Sequence, residues 1–85
     1  KTAGERYAEA IGAYRVGSYA KADALFAAFL HDFPHDPSCE DAAFLRAMCK
    51  QQLGDKAGAA ALARAYLATY PKGLRRPEAE RIAAP

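Results

Sequence analysis

The sequence predicts an all-α fold of two helical hairpins and a short terminal helix, and three observations predict it. First, the chain repeats itself at a period of 37 residues, which lays Gly17 on Gly54, Leu25 on Leu62, Leu30 on Leu67, Phe33 on Tyr70 and Pro34 on Pro71. Ala10, Ala20, Ala22, Ala24, Ala28, Ala42 and Ala47 likewise meet alanines one period on. A period in this range marks stacked supersecondary units, none of which buries its apolar face alone. Second, apolar residues recur at steps of three and four, the spacing of one helix face. Third, glycine and proline punctuate both copies at the same places, where helices stop.

Taken in order, the first helix begins near Thr2, whose spacing to Glu5 fits a capping box, and runs to about Val16. Gly17 suits its C-terminus and Ser18 is an N-cap candidate for the next helix. That helix spans Tyr19 to Phe33 with Ala22, Leu25, Phe26, Phe29, Leu30 and Phe33 in one stripe, and Pro34 stops it. The third helix starts at Ser38, behind Pro37 and with Asp41 in a weaker capping-box position, and reaches Leu53. Gly54 and Asp55 repeat the turn, and a second stripe runs through Ala59, Leu62, Ala63, Tyr66, Leu67 and Tyr70 to Pro71. A fifth helix opens at Pro77, a favoured first-turn residue, with Ile82 on the register of Leu45 and Ala84 on that of Ala47. It reads as a cap or as the opening of a further repeat. The organisation is one domain over 1–85, with repeat one at about 2–37, repeat two at about 38–74 and the terminal helix at about 77–84.

Composition points to a small helical module. Hydrophobic residues make up 52% and charged residues 26%, and alanine, the strongest helix former, supplies much of the apolar share. A net charge of +2 is too small to indicate a nucleic-acid partner, and no apolar run approaches the roughly 20 residues of a membrane span. No secretory signal is visible, and a chain opening at Lys1 reads as an excised or processed piece.

The helix–turn–helix unit resembles a tetratricopeptide repeat. The residues that carry the likeness are Ala10 and Ala47 in the first helices, Gly17 and Gly54 at the turns, Ala22 and Ala59 in the second helices, Phe26, and the terminal Pro34 and Pro71. It departs from that pattern at Arg6 and Glu9, and at Ala43 and Arg46, where a bulky residue and a leucine are usual, with Tyr7 and Leu45 as neighbouring replacements. Ala63 stands where the second copy should carry an aromatic. The second aromatic and the Phe/Tyr-Pro ending are similar to tetratricopeptide modules of bacterial envelope proteins, of the outer-membrane assembly lipoprotein and Tol-Pal-associated coordinator type. The resemblance implies a right-handed superhelical fragment, a scaffold without catalysis, and a periplasmic or envelope location. It also implies a concave groove lined by the first helices, which register places at Tyr7, Ile11, Tyr14 and Arg15 and at Phe44, Met48, Gln51 and Gln52. Such a groove would hold a peptide or protein partner.

The same apolar residues have a plainer role, since Tyr7, Ile11, Phe44 and Met48 also suit packing between adjacent helices. Tyr14, Arg15, Gln51 and Gln52 are the expected exposed contacts. Because stacked repeats usually come in threes or more, the exposed ends are alternatively read as self-association surfaces, giving a homo-oligomer.

Other constellations carry little. His31, Asp32, His35, Asp36 and Cys39 gather at a corner, but Pro34 and Pro37 interrupt the spacing a metal site needs, so no metal is expected. Cys39 and Cys49 lie ten residues apart on one helix, about 15 Å along its axis, too far for a disulfide. Two unpaired thiols favour a reducing compartment such as the cytoplasm, against the envelope resemblance. Cys49 reads as a small buried hydrophobe. Cys39, next to a helix N-terminus, is expected to have a lowered pKa and to offer a redox-responsive thiol. Lys72, Arg75 and Arg76 form a basic corner offset by Glu78 and Glu80. With no phosphate loop, carboxylate pair or serine triad in the chain, no cofactor and no catalysis are expected.

Overall fold

Local capping sets where each helix begins. The Thr2 hydroxyl accepts from the Glu5 N–H at 3.1 Å while the Glu5 carboxylate accepts from the Thr2 N–H at 2.8 Å, the reciprocal box that opens α1 (Ala3–Arg15). The computed structural model describes all residues, 1–85, and adds α2 (Tyr19–Asp32), α3 (Cys39–Gln52), α4 (Lys56–Thr69) and α5 (Arg76–Ala83), with no strand.

Both hairpin turns are built identically. Gly17 and Gly54 sit at φ +80°, a left-handed conformation that strains any side chain. Ser18 N–H reaches the Ala13 carbonyl at 2.9 Å and Gly17 N–H the Tyr14 carbonyl at 3.1 Å, and Asp55 and Gly54 repeat this on Lys50 and Gln51 at 2.9 and 3.0 Å. These paired bonds satisfy carbonyls the helix end would otherwise leave open. The links between hairpins also match: Asp36 N–H bonds the Phe33 carbonyl at 3.1 Å and Cys39 N–H that of Asp36 at 3.0 Å, as Gly73 bonds Tyr70 at 2.9 Å and Arg76 bonds Gly73 at 3.1 Å.

Three terminal details differ from the sequence expectation. Asp55 caps α4 by accepting from Gly58 N–H at 2.9 Å, but Ser18, in a similar backbone conformation, makes no side-chain cap. Ser38 makes none either and forms no box with Asp41, because it already has helical backbone angles, φ −79° and ψ −3°; its N–H is instead taken by the Asp36 carboxylate at 2.8 Å. Helix α5 starts at Arg76, one residue before Pro77, whose missing N–H costs nothing in a first turn.

Each helix packs against its neighbours in sequence, giving an elongated body of 38 × 26 × 17 Å. The buried faces follow the repeat: Ala22, Phe26 and Phe29 in α2 correspond to Ala59, Ala63 and Tyr66 in α4, all essentially inaccessible, with Leu25, Leu30 and Phe33 and then Leu62, Leu67 and Tyr70 packed around them. Burying each aromatic stabilises by roughly 1.5–3 kcal/mol. One cluster unites Ala10, Ala13, Ala22, Phe26, Phe29, Cys39, Ala42 and Cys49, and the other Phe44, Ala47, Ala63, Tyr66 and Ala79. Ala63, lacking an aromatic ring of its own, lies in the second cluster with Phe44 and Tyr66, whose rings meet edge-on at 5.9 Å.

Polar contacts distinguish the two interfaces. Buried Asp23 of α2 receives Arg46 Nε at 2.7 Å and Lys50 Nζ at 3.4 Å from α3. At the second interface Tyr66 Oη donates to Glu40 at 2.9 Å and accepts from Arg75 N–H at 3.0 Å, while the same Glu40 oxygen accepts from Leu74 N–H at 2.9 Å. Gly73 lies against this network, where a Cβ would collide with Tyr66 Oη and the Glu40 carboxylate. The first repeat has Phe29, Ala3 and Asp36 at these positions, so it has neither the network nor the need for glycine. Gly73→Ala should therefore cost about 1–3 kcal/mol through overpacking, and less in a Tyr66→Phe background, where the nearer of the two colliding oxygens is gone and the Glu40 side chain is free to shift. Urea denaturation of the four chains in this double-mutant cycle measures the difference.

Candidate functional site

The helices α3 and α5 flank an open cleft of about 350 Å³ lined by Phe44, Met48, Gln51, Arg75, Glu78, Arg81 and Ile82. Helical spacing puts Phe44, Met48 and Gln51 on one face of α3, and Glu78, Arg81 and Ile82 on the facing side of α5. Phe44 is 5% exposed, and its ring supports the Arg75 guanidinium at 5.5 Å, a cation–π contact. Arg75 also reaches Glu78 at 3.4 Å, and Arg76 reaches Glu80 at 3.1 Å. Glu78 is held below the usual carboxylate range chiefly by a backbone N–H, with Arg75 adding to it. Arg81 has no carboxylate within ion-pair distance and faces the cleft beside Met48 and Ile82. The site can grip an apolar group against Met48 and Ile82 and a carboxylate against Arg81.

Of the residues that register places on a groove, the cleft gathers Phe44, Met48 and Gln51. Gln52 and Arg15 are exposed outside it. Tyr7 is half-buried, its ring 6.0 Å from Phe26 and 5.4 Å from Phe29, and Ile11 packs on the same cluster. Tyr14 lies edge-on to Tyr19 at 5.4 Å. Burial raises the Tyr7 and Tyr14 phenols above the ordinary tyrosine value, with the Asp41 carboxylate adding to the effect on Tyr7. Sequence reasoning missed Arg75, Glu78, Arg81 and Ile82 as lining residues. The signal was present, since the 37-residue register that selects Tyr7 and Phe44 next selects Arg81.

The thiols behave differently from the expectation for Cys39. Both cysteines are buried and unpaired, and Cys39 Sγ donates to the Phe33 carbonyl at 2.9 Å. Burial pushes the Cys39 thiol up, not down; a backbone hydrogen bond from Asp36 offsets part of this and the Asp36 carboxylate adds to it. Burial also raises Cys49, to about 11, with Asp23 contributing. A helix N-terminus lowers a thiol's pKa only where the thiolate is hydrated or paired. At the same corner, Asp32 bonds Arg6 at 2.7 Å and His31 at 3.0 Å, and no three His, Cys, Asp or Glu side chains group as a metal site. No helix is long and apolar enough to cross a membrane.

No family model, curated protein or solved structure matches this chain.

The raised thiols fix the sign of an alkaline response. The native thiol at Cys49 keeps its proton to about 11, while an unfolded one releases it near 9.0, so the native state binds more protons in between and stability falls as pH rises through that window. The unfolding free energy from urea titrations should fall by about 2 kcal/mol between pH 9 and pH 11 on account of Cys49, and Cys49→Ala should lessen that fall, the raised Cys39 thiol and tyrosine phenols keeping the rest. Disulfide-reagent labelling at pH 8 should be about a hundredfold slower for native Cys49 than for the unfolded chain.

Proposed function

We propose that this chain is a tetratricopeptide-like protein-interaction module, a non-catalytic scaffold that holds a partner segment in the groove formed by α1, α3 and α5. In this reading the two hairpins and α5 form a right-handed superhelical stack across one domain. Four features support it: the repeated turns and links, the sequential packing of the helices, the fully buried Ala10, Ala22, Ala47 and Ala59 where helices approach closely, and the Arg6 side chain, which covers Phe33 at 5.6 Å in place of a bulky residue.

The single observation that carries the reading is the α3–α5 cleft, with Phe44, Met48 and Ile82 as its apolar wall and Arg81 in no ion pair, Glu78 being engaged by Arg75. Interfaces draw their strength from a few such anchors, aromatic and arginine side chains above all. The favoured ligand is an extended or helical peptide that sets an apolar side chain beside an acidic group. Tyr7, Ile11, Tyr14 and Arg15 continue the groove toward the first repeat, where Arg15 and the edge of Tyr14 supply the outer contacts.

Peptides selected on the wild-type chain from a random phage-displayed library should share an apolar residue next to Asp, Glu or a free C-terminus. They should bind Met48→Glu/Arg81→Ala at least tenfold more weakly by isothermal titration, with unchanged far-UV circular dichroism. Tyr14→Ala/Arg15→Ala should weaken the longer ligands by a smaller factor. Equal binding to wild type and to the Met48/Arg81 variant would remove the cleft from the function.

A further inference from the structure

A separate open cleft of about 210 Å³ lies between α2, α3 and α4, walled by Leu30 of α2, Ala43 and Arg46 of α3, and Leu62, Ala65 and Tyr70 at and along α4. It shares no residue with the α3–α5 groove and involves neither α1 nor α5. Helical spacing puts Ala43 and Arg46 on a different face of α3 from Phe44, Met48 and Gln51. The internal repeat explains why the cleft exists. One period apart, Arg6 corresponds to Ala43 and Phe33 to Tyr70. In the first copy the Arg6 guanidinium lies over the Phe33 ring at 5.6 Å and is tied to Asp32 at 2.7 Å. In the second copy Ala43 reaches no further than its β-carbon, and Tyr70 becomes a wall of the cleft.

The polar groups of this cleft are few and of one kind. Arg46 is the only charged residue in its wall, and its side chain is 26% exposed. Its Nε holds Asp23 at 2.7 Å, while neither Nη group has a hydrogen-bond partner. Lys50 also reaches Asp23, at 3.4 Å, so two cations share one carboxylate and a positive charge is left over. Glu40, the carboxylate that acts on Tyr70, is already engaged by Tyr66 Oη and Leu74 N–H. Burial holds the Tyr70 phenol above the ordinary tyrosine value, and its hydroxyl, without a partner of its own, remains a donor at neutral pH. Apolar walls with one cationic fork suit a ligand of apolar body and a single anionic group. Size narrows the choice further. A cavity of about 150 Å³ holds one benzene ring, so this cleft takes a ring with its carboxylate and has no room for a long chain.

We propose that the α2–α3–α4 cleft binds a small aromatic carboxylic acid, its ring held among Leu30, Leu62 and Tyr70 and its carboxylate on the Nη groups of Arg46. Such a ligand touches helices of both hairpins, so its binding stabilises their stacking by mass action. The site stands whether or not the α3–α5 groove holds a peptide.

Phenylacetate is the probe, and phenylacetamide, its uncharged isostere, is the control. Followed by NMR to about 10 mM ligand, phenylacetate should give saturable shifts in the methyl resonances of Leu30, Ala43, Leu62 and Ala65, with a midpoint of about 1 mM. Phenylacetamide should bind about tenfold more weakly, lacking the charge-assisted bonds. Ala65 is exposed on α4, so Ala65→Leu fills the cleft without altering the charged cluster, and it should abolish the shifts. Arg46→Gln should bring the acid down to the affinity of the amide. Because that change also loosens Asp23, Asp23→Asn/Arg46→Gln is measured beside it, with circular dichroism to show that each variant is folded. Met48→Glu/Arg81→Ala should bind phenylacetate as the wild type does, and Ala65→Leu should leave peptide binding in the groove unchanged, which separates failure of one site from failure of the other. The absence of saturable shifts, equal affinity for acid and amide, or shifts that persist in Ala65→Leu would each overturn the assignment.

Discussion

The structure depends on close packing of its helices around fully buried alanines. Ala10, Ala22 and Ala47 have no accessible surface and Ala59 almost none, so a larger side chain at any of them would have to displace its neighbours. Interiors are packed as densely as organic crystals, so extra volume there displaces whole helices. The aromatic side chains then fill the space on either side: Tyr7, Phe26, Phe29 and Phe33 in one half, and Phe44, Tyr66 and Tyr70 in the other. The cleft inherits its shape from this spacing, because Phe44 belongs to the buried cluster and to the wall of the site at once.

On that shared frame the two halves diverge in their polar contacts. The first interface carries a nearly dry carboxylate between two cations, and the second a tyrosine hydroxyl and a carboxylate that bond each other and take one backbone N–H each. Neither arrangement leaves a buried side-chain polar atom without a partner. The difference has a steric counterpart, since Gly73 makes room for an oxygen that Phe29 lacks. Each polar arrangement belongs to one interface alone.

Much of the helical layout was legible in the sequence because glycine, proline and cap residues act locally. Gly17 and Gly54 end helices by backbone geometry, and Thr2 with Glu5 needs no distant partner, so these features follow from short motifs. The missed features were those set by neighbouring elements. Ser38 makes no side-chain cap because its backbone is already helical, in a turn where Asp36 takes its N–H, and the Cys39 thiol is governed by burial against Phe33 more than by its place at a helix start. The cleft was half-legible: register located Phe44, Met48 and Gln51, but Arg75 enters from the turn before α5, whose position depends on Glu40 and Tyr66.

One helix, α3, belongs to both apolar clusters. Cys39, Ala42 and Cys49 face the first, and Phe44 and Ala47 the second. Melting either hairpin would strip one side of that helix and expose its backbone-supporting contacts, so the loss spreads across the shared element to the other hairpin. A short helical array joined in this way loses its structure in a single cooperative transition, with α3 as the element through which each half senses the folding of the other.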